Sequence, residues 1–199
     1  NSDEKSSSFD KKPPVGIAIA TAAGTAFYVD LENFKEGKDE AVSALSDILS
    51  NGFLEKCTHD YKRNLAVLNK IGISPEAVTD DTMIAAYVLD SSRGKYDLET
   101  LARLNLSIEL ASEIPQGVAR SVFRTMERAD LTCRLAPHFR HKIVEDELEK
   151  IYSEIEIPLI PILYRIEMAG MKVNAEELHE FSTFVISELE KLSTKIFEI

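Results

Sequence analysis

Apolar residues recur with a period of two near the start of the chain and with a period of three to four later on. Strands are therefore expected first and helices afterwards. Val15 to Ala20 and Thr25 to Asp30 are short β-favouring runs separated by Thr21-Ala22-Ala23-Gly24, which predicts a β-hairpin. Asp39 precedes a run in which Val42, Leu45, Ile48 and Leu49 return at helical spacing, with Gly52 beyond its end, and is read as the cap of that helix. Phe53 to Thr58 predicts a short third strand. The helix after it carries Tyr61, Leu65, Leu68 and Ile71 on one face and stops at Gly72.

Two further helices are predicted over 81–89 and 97–104, the second capped by Asp97, with Ser91 to Tyr96 as the connecting loop. Pro115 can open the next helix, which runs to about Leu135 before Pro137 interrupts it. From Ile143 one long helix is expected to Met168, bent at Pro158 and Pro161 and ended by Gly170. Asn174, with Glu177 three residues on, caps a last helix whose residues Leu178, Phe181, Val185, Leu189, Leu192 and Ile196 form an apolar face that must pack on something. Early strands followed by dominant helices indicate a mixed α/β layer rather than a bundle.

A chain of 199 residues can bury one ordinary core and part of a second. It has no run of 18 apolar residues, and its first 14 residues are polar and charged, so neither a membrane span nor a secretory signal is expected. The chain therefore reads as soluble and intracellular. Cys57 and Cys133, far apart in sequence, read as core thiols. The net charge of -11 argues against a surface that grips nucleic acid throughout, and -8 of it belongs to Ile143–Ile199.

Several side chains invite a chemical reading beside a plainer one. Asp80 and Asp81 could be paired acids, but a place just ahead of an apolar helix favours capping. His59 beside Asp60 resembles half of a dyad, without a nucleophile nearby. The run Arg134 to Lys142 is basic, and Arg134, Arg140 and Lys142 are the candidates for DNA contact; a solvated helix end explains the same charges. Tyr61, Tyr87 and Tyr96 could stack on bases, although their helical spacing favours core packing.

Ser153 to Asn174, SEIEIPLIPILYRIEMAGMKVN, resembles the start of the polymerase domain in the family A DNA polymerases of the bacterial DNA polymerase I kind. Asp80 to Leu106, DDTMIAAYVLDSSRGKYDLETLARLNL, is similar to part of that family's 3′–5′ exonuclease domain. The VGIAIA run from Val15 and the ADLTCRL run from Ala129 follow the same order. The resemblance implies an RNase H-like α/β fold over 1–147, then the bent linker helix and first thumb helix of a polymerase domain over 148–199. It also implies a bacterial, cytoplasmic, nucleoid-associated monomer that meets DNA through the rest of its polymerase domain.

In that family the exonuclease holds two divalent metals on four carboxylates, and a Tyr orients the attacking water. The opening Asp-x-Glu pair should lie at or before residue 1, and Asp3-Glu4 lacks the intervening residue. Counted back from Asp81-Thr82-Met83, the next acid falls on Asn64, and the family's usual Asn falls on Asp60. Aligned on Ala129-Asp130, the last acid falls on Arg128 and the Tyr on Arg124. A neutral amide is a poor bridging ligand for a hard cation, and a guanidinium repels one.

The resemblance therefore implies an inactive, structural exonuclease-like domain with no catalytic residues and no metal of its own; Mg2+ belongs to the polymerase centre elsewhere in the protein. The His59-Asp60-Tyr61-Lys62-Arg63 run is similar to that of inactive members. The alternative is an active, divergent proofreading nuclease rearranged around Asp60, Glu127 and Asp130.

Overall fold

The computed structural model describes residues 14–33 and 36–197, so the expectation placed on Asp3-Glu4 lies outside the described residues. Strands β1 (Gly16–Ala22) and β2 (Thr25–Asp30) form the predicted antiparallel hairpin, pairing Gly16 with Asp30 and Ala22 with Thr25. Ala23 and Gly24 make the turn, and Gly24 has the positive φ of 82° that a side chain would resist. β2 has the expected bounds, while β1 runs two residues closer to the turn, through Thr21 and Ala22, with a register shift between Ala20 and Ala22.

Helix α1 (Lys38–Leu49) follows. Its cap is Gly37 in the left-handed region, not Asp39, which lies with Glu40 in the first turn, where the helix dipole favours negative charge. Strand β3 covers only Lys56–Thr58, half of the expected run. The Lys56 ammonium donates to the carbonyls of Asn51 and Leu54 at 2.7 Å each and of Glu76 at 2.9 Å, which curls 51–54 into a turn and leaves Phe53 exposed.

Helix α2 (Tyr61–Asn69) then crosses to β4 (Val78–Asp81), which pairs with β3 in parallel: Cys57 faces Asp80 and Thr58 faces Asp81. In Val78-Thr79-Asp80-Asp81 the two β-branched residues are followed by two aspartates that strands disfavour, and pairing with β3 carries the strand through them. The described strands thus form two two-stranded sheets, β1–β2 and β3–β4.

Helices α3 (Thr82–Leu89) and α4 (Leu98–Leu106) start at their expected caps, Asp81 and Asp97. Helix α5 (Arg120–Glu145) corrects the expected 115–135 helix. It starts later and runs straight through Pro137, because Leu131, Leu135, Phe139 and Ile143 are buried on both sides of the proline. Burying four such side chains outweighs the roughly 3 kcal/mol that an internal proline costs. The 134–142 run is accordingly helix interior except for Lys142, which lies in the last turn of α5.

The single helix expected from Ile143 is broken. Glu147 takes a φ of 59° after α5, and α6 (Glu149–Ile151) leads into a π-helical turn over Tyr152–Glu156 and then α7 (Ile157–Ala169). The π turn lies just before Pro158, whose missing N–H would otherwise orphan a carbonyl one turn back.

Two compact units result, residues 1–165 and 166–199. In the first, α5 packs on all four strands and on α3 and α4. The main core joins Tyr61, Leu65, Leu101, Leu135, Phe139 and Tyr152; a smaller one joins Leu31, Leu45 and Ile73 beneath the hairpin. Tyr61 is core as expected, but Tyr87 is exposed and meets Tyr96 edge-on at 5.8 Å between ring centres. The thiols are not core either: Cys57 is exposed and Cys133 half-buried. The second unit holds α8 (Ala175–Phe197), capped by Asn174, which accepts from the Glu176 and Glu177 amides. Its residues Leu178, Phe181, Leu189, Leu192 and Ile196 are exposed, so the apolar face the sequence predicts is formed but uncovered in this chain.

Candidate functional site

The junction of β3, α2, β4 and α3 gathers the polar residues singled out around 58–82. At its centre Asp81 is 1% exposed. Its carboxylate accepts from four backbone amides, Asp60 at 3.1 Å, Tyr61 at 2.6 Å, Met83 at 2.8 Å and Ile84 at 3.4 Å. One side chain thus caps α3 and also pins the start of α2. Burial raises its pKa above the usual carboxylate value, while the four donors pull it the other way. The Asp81 amide in turn donates to the Tyr152 hydroxyl at 2.8 Å, tying the π turn to the junction.

Around this hub the partners are also internal. Asn64 donates its amide to Thr58 Oγ1 at 2.7 Å and to the His59 carbonyl at 2.9 Å. The Thr82 hydroxyl lies 3.3 Å from the Thr58 carbonyl and 2.9 Å from His59 Nδ1, joining β3 to the start of α3. Burial, followed by the positive charge of Arg128, pushes His59 down to about 4, so the ring is neutral at pH 7. Asp60 adopts a φ of 61° and caps α2, accepting from the Arg63 amide at 3.3 Å.

Helix α5 carries the remaining candidates. Arg128 forms an ion pair with Glu99 on α4. Arg124 donates to Glu127 at 2.5 Å and to the Ala111 carbonyl at 2.9 Å, while Glu127 also accepts from the Ala111 amide at 2.8 Å, clamping the loop before α5. Asp130 accepts from the Gly24 amide at 2.5 Å and from Arg134 at 2.8 Å, which fastens the hairpin turn to α5.

Arg140 pairs with Asp80 and, at 3.4 Å, with Glu55; Lys142 donates to Asn105 at 3.3 Å. At about 100° per residue, positions 134, 140 and 142 point around the helix rather than along one stripe. The fold therefore brings Asn64, His59 and Arg128 into one neighbourhood and leaves Arg134, Arg140 and Lys142 apart. Among the described residues, no three His, Cys, Asp or Glu side chains converge as metal ligands. Sequence reasoning recognised the cap at Asp81 but missed its link to α2, and it missed the Asp80–Arg140 and Tyr152 contacts, which join residues 60 to 71 positions apart.

The family model for the DNA polymerase I ribonuclease H-like domain matches residues 5–113. The chain belongs to the DNA polymerase I family. DNA polymerase I of Caldicellulosiruptor bescii is 32% identical over 146 residues, covering 72% of this chain and 16% of that protein. The polymerase domain of Pol1 from M. smegmatis, solved with a DNA primer-template and dNTP, superposes with a TM-score of 0.74 at 25% identity over 90% of this chain and 30% of that one. A nuclease in its apo form matches with a TM-score of 0.62 at 13% identity over 80% of each chain, which speaks to the fold alone.

The mixed α/β architecture is thus the ribonuclease H-like exonuclease fold of DNA polymerase I, and the match to a polymerase domain extends along most of the chain. The chain spans 16–21% of the length of the curated relatives it matches. Among the described residues, no helix is long and apolar enough to cross a membrane.

Proposed function

We propose that this chain is a 3′–5′ exonuclease-like domain without nuclease activity, over 1–147, joined to the opening helices of a polymerase domain over 148–199. Its work is structural: it supports the polymerase portion of a DNA polymerase I that acts in replication and repair. DNA is met through that portion, in a monomer in the bacterial cytoplasm, and Mg2+ serves the polymerase centre rather than this domain.

The observation that carries the reading is Arg128. Its guanidinium is held by Glu99 and acts on His59 where the family's resemblance places a metal-binding acid. A divalent ion there would face a fixed positive charge, an amide that already donates its hydrogens at Asn64, and a carboxylate at Asp81 saturated by amide donors. These residues do not fit a two-metal centre. The acids of the alternative arrangement, Asp60, Glu127 and Asp130, are each spent on a cap, a loop clamp or the hairpin turn.

Incubation with end-labelled single-stranded DNA and Mg2+ or Mn2+ tests the proposal. No metal-dependent loss of 3′ nucleotides is expected. Removal that depends on metal and disappears in Asp60→Ala would overturn it.

A further inference from the structure

Helix α5 presents Cys133, Ala136, Pro137 and Arg140 along one face, at spacings of three, four and seven, over the β3–β4 sheet. That face and the sheet flank an open pocket of about 500 Å3 lined by these residues together with Cys57, Thr79 and Asp80. Cys57 is the register partner of Asp80, and Asp80 holds the Arg140 guanidinium. Two thiols 76 positions apart in sequence thus line one pocket, one on the sheet and one on the helix.

We propose that Cys57 and Cys133 are a dithiol that a small-molecule disulfide oxidises to an intramolecular bridge between β3 and α5. Both are reachable from solvent, Cys57 exposed and Cys133 half-buried. With glutathione disulfide as oxidant the exchange balances. One protein thiolate attacks a glutathione sulfur, breaks its S–S bond and releases one glutathione thiolate. The other protein thiolate attacks the mixed disulfide at the protein sulfur and releases the second. Two electrons pass from the protein sulfurs to glutathione, and the two thiol protons end on the released thiolates.

The surroundings set when this happens. Crowding by the pocket wall, which strips water from the sulfur although the residue as a whole is exposed, and then the charge of Cys133 push the Cys57 thiol up to about 11. Few Cys57 thiolates exist at neutral pH, so the pair closes slowly there and faster as pH rises, by about tenfold per unit if Cys57 attack limits the rate.

The test uses the full chain, treated with glutathione disulfide and then analysed by thiol titration, intact mass and peptide mapping. Expected are loss of both thiols in a monomer lighter by two hydrogens, a Cys57–Cys133 linked peptide, and recovery with dithiothreitol. Cys57→Ser, in which the bridge cannot form, should instead retain a single glutathione adduct on Cys133. A wild-type chain that carries stable glutathione adducts, links to a second copy, or keeps both thiols free would overturn the proposal.

Discussion

At the scale of single residues the polar junction is governed by what burial demands of each group. His59 illustrates it. Unfolded, its imidazole takes a proton near pH 6.5; folded, it resists protonation until about pH 4, because it is buried beside Arg128. Between those values the unfolded chain binds more protons than the folded one, so stability rises with pH and is lost as pH falls. From pH 7 to pH 5 that loss is expected to be about 1 to 2 kcal/mol. Urea unfolding of wild type and His59→Gln at both pH values checks it: the variant should lack this part of the slope, and parallel pH profiles would refute the assignment. The identity of His59 as a polar residue near a strand end was readable from the sequence. Its neutrality was not, since that depends on Arg128, 69 positions away.

At the scale of elements, packing overrides local preference in α5 and leaves it alone in α8. The 3.6-residue pattern of Leu131, Leu135, Phe139 and Ile143 continues past Pro137, and the core holds it in a helix. Helix α8 has an equally clear apolar face, yet its residues meet solvent in this chain. The two helices should respond differently to substitution. Leu135→Ala, at 0% exposure, is expected to cost about 3 to 4 kcal/mol by opening a cavity. Leu189→Ala, at 58% exposure, should change stability by less than about 0.5 kcal/mol. Denaturant midpoints of the two variants measure the contrast; a large loss from Leu189→Ala would mean that its face is covered in solution. Strand β4 shows the reverse limit. In Val78-Thr79-Asp80-Asp81 the aspartates disfavour a strand, and the partner strand carries the pairing through them.

At the scale of the whole molecule, long-range polar contacts tie together elements far apart in sequence. Arg140 reaches across from α5 to Asp80, whose side chain is only 6% exposed, while Arg140 itself is half exposed. Arg140→Ala would strand that carboxylate, at a cost of about 2 kcal/mol once solvent screening of the exposed arginine is allowed for. The expected phenotype is a lower unfolding midpoint with little change in DNA retention by the chain. A large loss of DNA binding at unchanged stability would instead make Arg140 a contact to phosphate.

The sequence by itself determined the hairpin, the caps at Asp81, Asp97 and Asn174, the amphipathic faces and the family. Those features are written in neighbouring residues, through periodicity, turn chemistry and short motifs. It also placed Asn64, Arg124 and Arg128 at positions where the resemblance implies an acid or a Tyr. Only the tertiary structure decided that β4 is a strand, that α5 passes through Pro137, that Asp81 joins two helices, and that Cys57 and Cys133 share one pocket. Each of these depends on groups far apart in sequence, whose burial and hydrogen bonding exist only once the chain has closed on itself.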